Sequence, residues 1–263
     1  MQRRAGLRTL TRLMLFLWSG LAGATALDGG EVRFVGHVTD DGPRWVWQIA
    51  SSRQHWTVDV SDARVSGEQL FFRPGNGLPL PFLEGRLYRV AERGGPGYTP
   101  LVQFSSQGQP FMLPEGGSLT DSRFRAAVPV INPQNGDVTG QLNFTLVQGV
   151  GVSFGLQDEQ GTAMPSGMSL LRGRAVSSAR EGVGSSSLTT RLSALLQMIP
   201  DFGPGMSAVS NGQVIAGNVL MSGRVRNIAA AYASELSDFE LVLSGKTVTE
   251  QWQARLAVTV TVQ

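Results

Sequence analysis

The chain of 263 residues contains no cysteine. This absence excludes disulfide bonds, thiolate metal sites and cysteine nucleophiles, and it also excludes a lipid anchor attached to a cysteine. The free energy of folding must therefore come from the burial of apolar surface. A chain of this length is sufficient, because domains of roughly 150 to 300 residues bury about 70 to 75% of the surface that the unfolded chain exposes.

Histidine is almost as rare, since only His37 and His55 occur. A Ser-His-Asp triad therefore has few options, and no Gly-x-Ser-x-Gly motif frames a serine nucleophile. The segment Gly245–Thr247 reads Gly-Lys-Thr, but Glu240 stands where a phosphate-binding loop requires its first glycine. We predict that the protein is not an enzyme and that it holds no cofactor and no metal.

Two pairs of adjacent carboxylates, Asp40-Asp41 and Asp158-Glu159, fall in predicted turns. Solvated carboxylates are common in turns, so we interpret both pairs as structural. Glycoside hydrolysis requires only two well-placed carboxylates, and the sequence leaves that chemistry open.

Residues 1–26 have the pattern of a signal peptide. Four arginines between residues 3 and 12 precede an apolar stretch that begins at Leu13 and closes on the small-x-small sequence Ala24-Thr25-Ala26. The apolar stretch is shorter than the roughly 20 residues that span a bilayer. We predict cleavage after Ala26 and export of the remaining chain through the periplasm.

Removal of this segment changes the charge of the protein. The whole chain has 22 lysines and arginines against 20 acidic residues, and the loss of four arginines leaves 18 against 20, a net charge of −2. The basic sequence pI of 9.5 therefore belongs to the removed segment. The charge gives no argument for a nucleic acid partner.

Most of the remaining chain alternates apolar and polar residues, and turn-forming residues interrupt the alternation at short intervals. Val138, Leu142, Phe144 and Leu146 fall on one face of a predicted strand whose other face is polar, and the same alternation recurs at 44–49 and 239–243. Asn135-Gly136 precedes this strand and predicts a tight hairpin with the preceding apolar run. The sequence thus predicts an all-β fold of mainly antiparallel sheets.

One segment has a helical period instead. Leu188, Leu192, Leu195, Leu196 and Ile199 fall on one face of a helix over 188–199, with Ser187 as its cap and Pro200 as its stop. We expect this face to pack on a sheet. The segments 160–187 and 73–100, rich in glycine together with serine or proline, are predicted to be irregular loop insertions.

The two ends of the exported chain carry the functional argument. At the C-terminus, apolar residues alternate without interruption and predict one strand to the end of the chain, which would be adhesive if left unpaired. They are Trp252, Ala254, Leu256, Val258, Val260 and Val262. At the N-terminus, Val32, Phe34, Gly36 and Val38 alternate with more polar residues. This second strand either pairs with the Trp45 strand of its own chain or is given to another chain.

Several segments, in this order and spacing, resemble the major and minor subunits of the Fae-type fimbriae, the kappa class of chaperone–usher pili. The likeness covers nearly the whole exported chain. Its segments are VRFVGHVT at 32–39, RWVWQI at 44–49, TPLVQF at 99–104, VPVINPQNGDVTG at 128–140, MPSG at 164–167, AAAYA at 229–233 and TEQWQARLAVTVTVQ at 249–263.

The resemblance implies an incomplete immunoglobulin-like β-sandwich, the pilin domain of residues 41–263, preceded by a donor-strand extension at 27–40. It implies that Val32, Phe34, Gly36 and Val38 complete a neighbouring subunit. A periplasmic fimbrial chaperone, an outer-membrane usher and neighbouring fimbrial subunits are the expected partners, and a minor subunit is the preferred assignment. Relatives often end in tyrosine, whereas this chain ends Val262-Gln263.

The resemblance also implies the residues that the chaperone binds. They lie on the C-terminal strand and are Leu256, Val258, Val260 and Val262.

A host glycan is a further candidate partner that the resemblance leaves open. The aromatic side chains that offer stacking surfaces are Trp56, Phe71, Phe72, Tyr88 and Tyr98. No sequence motif identifies a sugar site. The alternative function is a free-standing secreted β-sandwich that binds or cleaves carbohydrate.

Overall fold

The computed structural model describes residues 44–51, 53–74, 77–177, 186–246 and 251–263. The predicted signal peptide 1–26 and the predicted extension 27–40 lie outside them. The described part of the chain contains one α-helix, fourteen strands and two single-turn 3₁₀-helices, Val60–Asp62 and Val219–Met221. They are β1 Trp45–Ile49, β2 Arg64–Ser66, β3 Gln69–Phe72, β4 Leu80–Leu87, β5 Ala91–Arg93, β6 Pro100–Ser106, β7 Gln109–Pro110, β8 Arg123–Ile131, β9 Val138–Phe154, β10 Met168–Arg172, α1 Ser186–Gln197, β11 Ser210–Ala216, β12 Arg226–Ser244, β13 Gln253–Ala254 and β14 Ala257–Val262.

The strands form two sheets of very different size. The larger sheet has eleven strands and runs in the order β1-β4-β12-β9-β10-β11, with β3 and β5 also paired to β12, β8 to β9, β13 to β8 and β2 to β3. The smaller sheet has three strands in the order β14-β6-β7. Every pairing in the described residues is antiparallel except that of β10 with β11. The predicted all-β sandwich of mainly antiparallel sheets is confirmed.

Aromatic side chains from both sheets meet in the core. Phe104 of β6 lies with its ring centroid 6.1 Å from that of Phe82 on β4 and 6.1 Å from that of Phe124 on β8. Phe111, just after β7, packs edge-on against Phe144 of β9 at 5.5 Å. All five rings are buried. The small sheet therefore covers one face of the large sheet with a mostly apolar layer.

The hairpin between β8 and β9 is confirmed, but its loop is longer than predicted. Residues 132–137 connect the strands, and the N–H of Gly136 donates to the carbonyl of Asn132 at 2.8 Å. Gly136 has a φ of +79°, whereas Asn135 is not in the left-handed region. The loop therefore uses the positive φ of one residue, where a two-residue type I′ turn requires two.

β9 is buried on both faces over its second half, which the sequence did not predict. From Phe144 to Phe154 every residue is buried, including the polar side chains of Thr145, Gln148 and Ser153. The alternation predicted one solvated face. That face is covered instead by α1, which packs on β9 and β12.

Helix α1 confirms the helical prediction, with a small shift in its limits. It begins at Ser186, so Ser187 lies inside the helix and does not cap it as predicted. The hydroxyl of Ser187 donates instead to Glu235 of β12 at 2.7 Å. Leu188, Leu192, Leu195 and Leu196 are buried against the sheet, as expected.

Glycines under the helix allow its close approach. A Cβ on Gly149 would lie 3.3 Å from Leu188, and a Cβ on Gly151 would lie 2.9 Å from Met168 and 3.4 Å from Leu192. Their partners across the ladder to β12 are alanines. Small residues on this face therefore set how near the helix lies to the sheet.

A pair between a buried carboxylate and a partly exposed arginine also holds α1. Glu84 of β4 is fully buried, and its carboxylate accepts hydrogen bonds from Nε and Nη2 of Arg191, the second at 2.6 Å. Gln48 Nε2 donates to the same carboxylate at 2.6 Å. The hydrogen bonds that Arg191 donates to Glu84 raise the pKa of Arg191. Because a buried carboxylate is costly without such partners, this pair fixes the position of the helix over β4.

On the other face of the sheet, a row of residues crosses three strands. Trp47 of β1 lies opposite Gly85 of β4, which lies opposite Tyr232 of β12. A Cβ on Gly85 would lie 2.3 Å from the Trp47 ring, so the glycine lets the indole reach the Tyr232 ring at a centroid distance of 5.7 Å. The Tyr232 hydroxyl donates to Gln148 at 2.6 Å, and Gln148 donates to two carbonyls of the loop 119–121. Burial raises the pKa of Tyr232.

The prediction of irregular insertions at 73–100 and 160–187 is wrong in part. The first contains β4 and β5, and the second contains β10. Pro81 is tolerated in β4 because the ladder to β12 has an irregularity between Ala233 and Glu235, and Glu235 lies opposite Pro81. The proline and glycine residues of these segments predict loops. In the structure, Gly85 allows close packing of the Trp47 ring, and Pro81 lies at a ladder irregularity.

Replacement of Arg191 by methionine should destabilise the protein by about 3 kcal/mol, because the buried carboxylate of Glu84 loses its charge partner. Chemical denaturation of the exported chain measures this loss. The matched control is Arg64→Met, since Arg64 pairs at 3.8 Å with the partly exposed Glu240, and a loss below about 1 kcal/mol is expected there. The double variant Glu84→Gln with Arg191→Met should regain much of the loss. Equal effects of Arg191→Met and Arg64→Met would contradict the role of the buried pair.

Candidate functional site

The C-terminal segment belongs to both sheets in turn. β13 pairs with Ile131 and Val130 of β8 in the large sheet, whereas β14 pairs with β6 in the small sheet. The sequence predicted a single strand, but Arg255 and Leu256 connect two strands outside either ladder. A chain that crosses between the layers must break its ladder. The alternation is also locally reversed, because Gln253 is buried and accepts a hydrogen bond from Arg255.

The four side chains expected on this strand become more exposed toward the end of the chain. Leu256 and Val258 are buried, Val260 is half-buried, and Val262 is 44% exposed. The first two therefore fill the core of the sandwich. The last two lie where the small sheet ends.

β14 lies at the edge of the small sheet. Its six residues pair in register with Pro100–Ser105 of β6, and the ladder continues through mutual backbone hydrogen bonds of Gln263 and Thr99 at 2.9 and 3.2 Å. Within the described ranges, β6 is the single strand neighbour of β14. A strand at a sheet edge presents one row of backbone groups to a further strand.

A cavity of about 280 Å³ opens at the start of β14. Its walls include Trp56, Phe239 and Trp252, and Leu256 contributes from the segment that leads into β14. The ring centroid of Trp56 lies 4.7 Å from that of Phe239 and 6.2 Å from that of Trp252. The three rings are half-buried, so each keeps part of its surface open. We call this feature the aromatic cavity.

Phe239 lines the aromatic cavity, and its ring also packs on the core ring of Phe144 at a centroid distance of 6.1 Å. The ladder of β12 to β9 shifts register just before it, between Ser237 and Glu240, and Asp238 has a φ of +51°. The alternation at 239–243 placed Phe239 with the core residues. The polar pair Ser237-Asp238 inside an apolar run was the sequence signal for the interruption.

A second, wider cleft of about 840 Å³ adjoins Phe239 on its other side. Its charged lining residues are three arginines and three carboxylates, namely Arg73, Arg123, Arg125, Glu115, Asp238 and Glu240. Arg125 donates to the carbonyl of Asp238 at 2.6 Å, and Arg123 lies 3.6 Å from the Asp238 carboxylate. The charges balance in number, so the cleft is not a basic surface.

The described chain begins at the opposite end of β14. Trp45 Nε1 donates to the carbonyl of Tyr98 at 2.9 Å, and the Arg44 guanidinium lies over the Tyr98 ring at 4.9 Å. Tyr98 precedes Thr99, the partner of the last residue of the chain. The N-terminal segment therefore joins the domain beside the end of β14, and we call this end the entry pole. Its expected strand residues, Val32, Phe34, Gly36 and Val38, lie outside the described residues.

The five aromatic residues considered for sugar stacking have different surroundings. Trp56 lines the aromatic cavity, Phe72 is buried in the core, and Phe71 lies under the Arg64 guanidinium. Tyr88 is 55% exposed, and Tyr98 lies at the entry pole. They do not form one stacking surface.

The acidic pair Asp158-Glu159 has a structural role, as interpreted from the sequence. Asp158 accepts backbone hydrogen bonds from Thr162 and Gln160 at 2.8 Å, and these bonds lower its pKa. Glu159 accepts hydrogen bonds from Arg226 and lies 2.7 Å from Arg93, and the hydrogen bond from Arg226 is the main reason that its pKa is lowered. Both carboxylates hold a loop, and the pair Asp40-Asp41 lies outside the described residues.

The other candidate motifs also have structural surroundings. Gly245 donates its N–H to the carbonyl of Glu68 at 2.7 Å, and Lys246 pairs with the Glu68 carboxylate at 2.6 Å. His55 lines the aromatic cavity, and His37 lies outside the described residues. In the part of the chain that the structure covers, no group of three or more histidine and carboxylate side chains is placed to hold a metal. No helix in that part is long and apolar enough to cross a membrane.

A comparison with known protein families identifies the chain over almost its full length. The family described as "Fimbrial, major and minor subunit" matches residues 7–263. No curated protein matches the chain. The match includes both terminal segments, the aromatic cavity and every strand described above. The chain therefore belongs to the family of fimbrial major and minor subunits.

Proposed function

We propose that this protein is a minor structural subunit of a fimbria and that it polymerises by donating its N-terminal strand to a neighbouring copy or subunit. As a fimbrial subunit it belongs to a cell-surface fimbria and contacts other fimbrial subunits. The family consists of structural proteins, and we propose no enzymatic activity for this member. The family assignment does not say how subunits are joined, and strand donation is the contact that we propose.

The observation that carries the proposal is the unequal size of the two sheets. Three strands, one of them only two residues long, face a sheet of eleven strands. β14 lies at the edge of the small sheet, and β6 is its single neighbour among the strands described. An additional strand beside β14 would extend the thin layer and cover apolar surface at its edge, which is the arrangement of β-strand addition.

The N-terminal segment has the composition that such an edge requires. Val32, Phe34 and Val38 lie on one face of an extended strand, and Gly36 interrupts that face. Burial of the three apolar side chains would contribute about 5 to 9 kcal/mol before the costs of ordering the segment. Main-chain hydrogen bonds to β14 would add affinity, while the spacing of the apolar side chains would set the register.

The same edge is the proposed binding site of a periplasmic chaperone before assembly. A folded subunit with an open apolar edge would aggregate during export, so the edge requires temporary cover. Leu256, Val258, Val260 and Val262 are the side chains proposed to contact the chaperone. An outer-membrane usher would then exchange the chaperone for the N-terminal strand of the next subunit.

Replacement of Val258 and Val260 by aspartate should abolish capture by the cognate chaperone, because an unpaired carboxylate is costly in an apolar contact. Co-expression with the chaperone and affinity purification of the complex measures capture. The matched control is Thr259→Asp with Thr261→Asp on the exposed face of the same strand, which should still be captured.

The single variant Val260→Asp separates binding from folding, since Val260 is only half-buried. It should retain the circular dichroism spectrum of the native protein and lose most of its chaperone binding. Normal capture of both Val258→Asp/Val260→Asp and Val260→Asp would refute the role of β14.

Deletion of residues 27–39 should leave a subunit that binds its chaperone but no longer completes the next subunit. A synthetic peptide of residues 31–40 should raise the melting temperature of this deleted subunit, because a ligand that binds the folded state stabilises it. The control peptide carries Phe34→Asp and should give no increase. If the deletion unfolds the domain, or if the full-length exported chain is a stable monomer at high concentration with protected N-terminal amides, donation is refuted.

A further inference from the structure

We propose that the aromatic cavity is the surface against which successive copies dock, and that it receives the connecting segment 39–43 of the neighbouring copy. This inference rests on the proposed donation of the N-terminal strand. It adds an interface that lies outside the donated strand itself.

The argument starts from the two ends of β14. Its last residues lie at the entry pole, because Gln263 pairs with Thr99, whose neighbour Tyr98 accepts the hydrogen bond of Trp45. Its first residues lie beside the aromatic cavity, which Ala254 and Leu256 line. β14 therefore runs from the aromatic cavity to the entry pole, a length of about 20 Å for six residues.

The segment from Val32 to Val38 matches this length. Seven extended residues span about 23 Å, so the segment can lie along the whole of β14 in either direction. Residues 39–43 then connect Val38 to Arg44 over six Cα–Cα steps and reach at most about 22 Å. The folded domain of the donating copy must consequently lie near one end of the acceptor's β14, namely the end beside the donor's Val38.

The direction of the donated strand decides how the copies are arranged. In a parallel arrangement, Val38 lies beside the end of β14, so the entry poles of two copies face each other. That contact is isologous, and two copies exchange strands and close into a dimer. In an antiparallel arrangement, Val38 lies beside the start of β14. The entry pole of one copy then faces the aromatic cavity of the next, and this heterologous contact continues without closing.

The proposed fimbrial polymer must continue without closing, and this requirement selects the antiparallel arrangement. An antiparallel strand also extends the small sheet in its own pattern, since β14, β6 and β7 are antiparallel. The connecting segment of the donor, Thr39 to Pro43, must then pass the start of β14. The aromatic cavity lies at this point.

The chemistry of the connecting segment suits the aromatic cavity. Pro43 has a fixed φ and no backbone N–H, and aromatic grooves commonly accept extended segments that contain proline. The open surfaces of Trp56 and Trp252 supply such a groove.

The natural absence of cysteine makes a disulfide test direct. Gly42→Cys combined with Thr57→Cys, an exposed residue that lines the aromatic cavity, should give a ladder of covalent multimers from chaperone-released subunits under oxidising conditions. Gly42→Cys combined with Val262→Cys tests the opposite arrangement and should not cross-link. Gly42→Cys combined with Thr190→Cys, an exposed residue of α1, is the control for random collision.

Thiol labelling of single variants gives an independent measurement. Thr57→Cys should react with a thiol reagent in the chaperone-bound subunit and become protected at least tenfold in the polymer, while Thr190→Cys should react equally in both. Multimers that cross-link through Val262→Cys, or a Thr57→Cys that stays reactive in the polymer, would overturn the docking surface and leave donation intact. If donation itself fails, no polymer forms and none of the three pairs gives intermolecular products above the collision control.

Discussion

β9 and β12, with 17 and 19 residues, pair antiparallel from Ile228 opposite Phe154 to Leu243 opposite Gly140. Every other strand of the large sheet is attached to one of these two strands directly or through a single neighbour. Their two faces are chemically different. Alanines and glycines face α1, whereas Tyr232, Gln148 and Val150 belong to the other face. One ladder therefore fixes both the position of the helix and the surface on which the thin sheet packs.

The sequence was informative wherever one local pattern decided the structure. The alternation at 44–49, the hairpin around Gly136 and the apolar face of α1 all depend on residues close in sequence, and all three are present. The prediction from alternation was wrong for β9. Local polarity predicted a solvent-exposed face, but a helix about 40 residues later in the chain covers that face. Gly149 and Gly151 contact Leu188 and Leu192 of that distant element, whereas Gln148 on the other face is hydrogen-bonded to Tyr232 and to the loop 119–121.

The candidate site was less predictable for the same reason. The residues of β14 follow from local alternation, but their division from β13 depends on which sheet each part meets. Trp56 lies more than 180 residues before Phe239 and Trp252 in the chain, so no spacing in the sequence identifies the aromatic cavity. Phe239 keeps the core contact that the alternation predicts, with Phe144 at 6.1 Å, and its exposed part lines the cavity beside an irregularity of β12.

The proposed donor strand could pair either with β14 of its own chain or with β14 of a neighbour, and these two pairings compete. Ordering seven residues costs about 1 to 2 kcal/mol each, which is comparable to the gain from burying Val32, Phe34 and Val38. The net affinity must then depend on the main-chain bonds to β14, and strands in either direction can form such bonds. The chain's own segment joins the domain at the entry pole and so has the high effective concentration of a tethered ligand.

Tethering would favour the parallel direction for that segment along its own β14, because the antiparallel direction would stretch residues 39–43 to nearly their full reach of about 22 Å. A neighbour's segment has no such restriction and can pair antiparallel, with the added contact of its connecting residues in the aromatic cavity. In the proposed assembly, the interface beyond the strand would allow pairing with a neighbour to exceed self-pairing, since the strand contacts alone are similar in both cases. A chaperone that covers β14 until a neighbour arrives would remove the advantage of the tether.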